Sequence, residues 1–129
     1  MLTRIRNMYP SAEYDLSSNH LVFDYGLQEI CGENKGCYVG QEVVERVRSR
    51  KGVGPKAFAS IFFEVGQEKL KTEPKLTSGD RVVGQLTNSV VYDSGKAYAL
   101  SVLDRKQCES TDSIIIQDTD ITIEIQSFI

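Results

Sequence analysis

The chain has 129 residues, 40% hydrophobic and 26% charged, which suits a small globular protein with a real core and excludes disordered, collagen-like or coiled-coil classes. Fifteen Lys and Arg against eighteen Asp and Glu leave a net charge of −3, so no global positive field marks the chain for nucleic acid. No apolar run approaches the roughly 20 residues that cross a bilayer. Three cysteines at irregular spacing read as reduced thiols of a cytoplasmic protein, or of one in the mitochondrial matrix.

Along the chain, the first stretch, MLTRIRNMYPSAEYD, has no apolar core of the kind a secretory signal needs, and it reads as neither signal nor transit peptide. Residues up to Lys51 mix a proline-containing segment, short apolar clusters and one stretch of helical spacing. That stretch is Gln41 to Arg50, where Val43, Val44 and Val47 form a stripe among charged residues. Glu42 in its first turn and Arg46, Arg48, Arg50 and Lys51 at its end match the helix dipole, and Gly52 supplies a stop. A boundary is predicted near residue 52, giving units 1–51 and 52–129.

Beyond it, AFASIFFEV (57–65), RVVGQL (81–86), NSVVY (88–92), AYALSVL (97–103), SIII (113–116) and ITIEIQ (121–126) read as strands. Ile121, Ile123 and Ile125 alternate with Thr122, Glu124 and Gln126, which predicts one buried and one wet face. Asp93-Ser94-Gly95-Lys96 and Asp118-Thr119-Asp120 read as turns. Six short strands without a long helix between them predict a mainly β fold, a small antiparallel barrel of Greek-key type, after a short N-terminal part of loop and helix.

The stretch that points to chemistry is Lys35-Gly36-Cys37-Tyr38-Val39-Gly40-Gln41-Glu42. It lacks the Gly-Lys-Ser/Thr order of a phosphate loop, and its polar residues exclude a membrane helix contact. Cys31, Cys37, Cys108 and His20 fall short of a metal site in spacing and number. Cys31 and Cys108 read as small buried or half-buried hydrophobes and His20 as a surface or cap residue. Cys37 differs: it lies just ahead of the predicted helix start, with Lys35 two residues away, and both features favour thiolate. Gly36 and Gly40 allow a tight turn and a close approach. A plain turn with a packed cysteine is the competing account.

With those residues in view, KGCYVGQE resembles the signature of YgfZ-type folate-binding proteins, relatives of the glycine-cleavage T-protein, an aminomethyltransferase. Lys35, Gly36, Cys37, Tyr38, Gly40, Gln41 and Glu42 match its specified positions. Arg4, Ile5, Pro10, Asp15 and Leu16 are similar to the family's upstream segment, and GDRVVGQLTNSVVYDSGKAYAL to its barrel hairpins, although Met8, Tyr9 and Gly26 depart from the pattern. The resemblance implies that residues 1–51 correspond to the closing segment of a folate-binding body, and that 52–129 correspond to the terminal barrel. The region framing most of the folate site would lie outside this chain.

The resemblance further implies a tetrahydrofolate-binding accessory role in the maintenance of iron–sulfur enzymes, with a link to tRNA modification. Cys37 would be the functional thiol and Lys35 the group biasing it to thiolate. Tyr38, Gly36, Gly40, Gln41, Glu42 and Arg4 would be the cofactor-binding set, with Tyr38 offering a stacking face and Arg4 a fork for an anionic group. Gln41 and Glu42 would mainly fix the loop and start the helix. Partners would be a folate-type small molecule and an iron–sulfur enzyme or the absent N-terminal half. An aminomethyltransferase and a non-catalytic interaction module stand as the other readings. The run Arg46, Arg48, Arg50, Lys51 reads as a solvated helix end before it reads as a phosphate site.

Overall fold

The computed structural model describes residues 1–27, 29, 36, 39, 41–49, 54–66 and 70–129. Six strands, β1 (Lys56–Glu64), β2 (Lys75–Ser78), β3 (Arg81–Asp93), β4 (Lys96–Asp104), β5 (Ile114–Ile116) and β6 (Thr122–Phe128), close into a barrel in the order β1-β4-β3-β2-β5-β6. Every pairing is antiparallel. Closure leaves no edge strand along the ring to recruit another chain.

The expected barrel is therefore present, but its strands divide differently. RVVGQL and NSVVY belong to one strand, β3, and the sixth strand is β2, which the sequence reading missed. Lys75-Leu76-Thr77-Ser78 is too short to show alternation, yet Leu76 and Thr77 are both buried because β3 and β5 flank them. Where the two runs of β3 meet, the ladder with β4 slips: Leu86 pairs with Ser101 and Val90 with Ala99, four steps on one strand against two on the other. Such an irregularity frees ladder residues to meet something else.

The predicted turns are present. Ser94 and Gly95 have φ of 51° and 79° between β3 and β4, the two left-handed residues of a type I′ hairpin. Asp118, with φ 63°, turns β5 into β6.

Two apolar clusters follow from strand alternation. The interior holds Ala59, Ile61 and Phe63 of β1, Leu76, Leu86, Ala99, Leu103, Ile116 and Ile123. The outer wall of β1 and β4 presents Phe58, Leu100 and Val102, and these bury Ile5 and Tyr25 from the N-terminal segment. Ile5 lies on α1 (Leu2–Arg6) and Tyr25 on a 3₁₀ turn (Val22–Tyr25), neither predicted from sequence. Two-sided burial explains why β1 and β4 read as nearly unbroken apolar runs, whereas β6, wet on one side, alternates.

α2 (Gln41–Ser49) is the expected helix, with Glu42 in its first turn and Arg46 and Arg48 in its last. Of its valine stripe, Val47 is buried, Val44 half-buried and Val43 42% exposed. A further short helix, α3 (Arg105–Cys108), follows β4.

Candidate functional site

Around the signature stretch, Lys35, Cys37, Tyr38 and Gly40 lie outside the described residues, as do Cys31, Arg50 and Lys51. Gly36 is exposed, with no atom within 4 Å of where a Cβ would stand, and Val39 is fully exposed. Gln41 opens α2 and Glu42 follows it, so the helix begins four positions after the cysteine in sequence. The first N–H groups of a helix have no partner within it, and with the first-turn carboxylate they make a polar helix start. Arg46 donates to Glu42 at 3.3 Å and Arg48 to Glu45 at 3.1 Å. These exposed bridges sit within one helix and are weak.

Arg4 sits in a different place, at the irregular stretch of β3. Its guanidinium meets Asp15 Oδ2 at 2.6 Å, donates to the Tyr9 carbonyl at 2.9 Å and reaches the Ser89 hydroxyl. Asp15 is enclosed, and it also accepts from the Ser11 N–H at 2.8 Å and the Thr87 hydroxyl at 2.5 Å. The Asn88 N–H donates to the Tyr14 carbonyl at 3.0 Å. Thr87, Asn88 and Ser89, the residues where the β3–β4 register slips, thus receive the N-terminal segment. The anionic group that Arg4 meets is the chain's own Asp15. Nothing in sequence pairs Asp15 with Thr87, 72 residues on.

The remaining candidates separate cleanly. Cys108 is half-buried, and burial pushes its thiol up to about 11, which makes it inert at neutral pH. His20 departs from its expected surface or cap position: Leu21 caps the following turn, and the imidazole is only 13% exposed, T-shaped against Tyr25 at 6.0 Å between ring centres. The reason is the 3₁₀ turn that follows it, which folds Phe23 and Tyr25 onto the barrel and draws His20 in.

A groove of about 860 Å³ runs between the end of β1 and the start of β6, lined by Phe62, Glu64, Gly66, Asp120, Ile121 and Glu124 among others. Its three carboxylates repel an anionic ligand, and of the described candidates none of Arg4, Gly36, Gln41 and Glu42 lines it. Among the described residues no cluster of His, Cys, Asp and Glu could hold a metal ion, and no helix is long and apolar enough to cross a membrane. No protein-family model matches the chain, and no curated protein sequence matches it.

Proposed function

We propose that this chain is a tetrahydrofolate-binding accessory protein of iron–sulfur enzyme maintenance, of the YgfZ type, with a link to tRNA modification and with Cys37 as its functional thiol. The observation that carries the reading is an order of parts: Lys-Gly-Cys-Tyr-Val-Gly-Gln-Glu at 35–42, then a helix opening at Gln41, then a closed antiparallel barrel. That order is what the resemblance calls for. Helix α2 supplies the electrostatic half of the argument, because a cysteine four positions before a helix start in sequence, with Lys35 two positions before it, is favoured as thiolate. In this reading Lys35 biases the thiol, Tyr38 stacks on the flat ring system of the folate, and Gly36 and Gly40 let the backbone approach it.

The test is calorimetric titration of tetrahydrofolate into the chain and its Tyr38→Ala variant, beside the alkylation rate of Cys37 against pH in a Cys31→Ser, Cys108→Ser background. The reading expects saturable heat, weakened about fivefold by loss of a stacking ring worth about 1 kcal/mol. It also expects an alkylation midpoint below the ordinary value of about 8.5. Absence of binding heat together with an ordinary midpoint removes it.

A further inference from the structure

His20 Nδ1 is a buried side-chain nitrogen with no hydrogen-bond partner among the described residues. Buried polar atoms are nearly always satisfied, so an orphan asks for an account. The groups facing it come from four places. Asp24 of the 3₁₀ turn stands 3.7 Å away, beyond hydrogen-bond reach, with Oδ2 already accepting the Leu21 N–H at 2.9 Å. Tyr25 of the same turn packs its ring T-shaped against the imidazole. Lys56 at the start of β1 adds positive charge and Glu73, ahead of β2, negative charge. Asp15 lines the same small cavity but is engaged by Arg4. That cavity, shared with Ser17, Asn19 and Thr87, is about 40 Å³. A proton on the buried Nδ1 would lie away from bulk water and beyond hydrogen-bond reach of Asp24.

From this geometry we infer that His20 is an acid-sensitive latch: the neutral imidazole lets residues 16–27 close onto the barrel wall, and protonation opens that segment. The pocket is built for an uncharged ring. Burial, the largest influence, and Lys56 lower its affinity for a proton, and they outweigh Asp24 and Glu73, which raise it. When the segment opens, the ring meets water and regains its ordinary value of 6.5. A group whose closed-state pKa is depressed in this way contributes its full stability above 6.5 and loses it as pH falls below that value. What acid uncovers is an apolar face: Phe23 and Tyr25 on the segment, Phe58, Leu100 and Val102 on the barrel. The inference is independent of the folate reading, because it uses no residue of the signature stretch. Since His20 is the only histidine, the response belongs to one side chain.

The experiment is amide hydrogen exchange by mass spectrometry on the whole chain at about pH 7.5 and about pH 5.5, corrected for intrinsic rates, with the imidazole followed by NMR. The expected result is an opening constant for residues 16–27 that rises by up to about tenfold per pH unit below 6.5, with β4 unchanged. His20→Gln should flatten that response. The NMR midpoint, which needs no variant, should fall below 6.5. A midpoint at or above that value, protection of 16–27 that strengthens in acid, or equal loss of protection in β4 overturns the latch.

Discussion

At Gly84 the barrel wall leaves no room for a side chain. An added Cβ would stand 2.6 Å from Leu103 Cδ2 and 2.9 Å from Leu103 Cα, and closer still to the Val102 carbonyl oxygen. Backbone cannot retreat as a flexible side chain can, so Gly84→Ala should cost about 2–3 kcal/mol, read as a lower urea midpoint at unchanged slope. The Arg4–Asp15 pair makes a second residue-level case. Arg4→Met strands a carboxylate whose side chain is fully enclosed, and about 3 kcal/mol should be lost. Replacing both partners, as Arg4→Met with Asp15→Leu, should restore most of that loss, because no buried charge then remains. If the double variant is as unstable as the sum of the singles, the two side chains act independently and the pairing is wrong. None of this was legible in sequence. Gly84 sits in an ordinary strand pattern, and Arg4 read as a fork for an outside anion because its acceptor is supplied by the fold.

Among the elements, β5 is the shortest strand and it joins β2 to β6, which closes the ring. Ile116 is 1% exposed and packs into the interior cluster. Ile116→Ala should cost about 3 kcal/mol through lost transfer energy and a cavity that the two flanking strands cannot fill. Thermal unfolding followed by circular dichroism measures it, and a cost under about 1 kcal/mol would mean that β5 does not help seal the interior. Elements were legible where their signal is local: the strand alternation of Ile121 to Gln126, the Ser94-Gly95 turn and the charge polarity of α2 each occupy a few consecutive residues. β2 was not, because four residues with one strong apolar side chain carry no period. β3 was split because Thr87-Asn88-Ser89 interrupts its apolar run, and the interruption marks the place where the N-terminal segment docks.

For the molecule as a whole, residues 1–27 act as a cover for the barrel. Ile5 and Tyr25 bury the outer face of Phe58, Leu100 and Val102, and Arg4, Tyr14 and Asp15 bind the irregular stretch of β3. A chain beginning at Gly54 should therefore expose a contiguous apolar face, bind a hydrophobic dye and unfold at a lower temperature. If it instead matches the full chain in dye binding and melting temperature, the cover adds nothing to the fold. The candidate site was legible in sequence only as a motif and a helix start, since Lys35-Gly36-Cys37-Tyr38 states which side chains are present but not what they face.

The amino-acid sequence by itself determined the local grammar: a mainly β chain, a helix from Gln41, the hairpin at Ser94-Gly95, and the one wet face of the last strand, because propensity, turn chemistry and alternation act over a few neighbouring residues. The tertiary structure alone decided the order β1-β4-β3-β2-β5-β6, the enclosure of His20 and the union of Asp15 with Thr87. Those depend on contacts between residues far apart in the chain, and a side chain's partner across such a distance leaves no mark on the residues beside it.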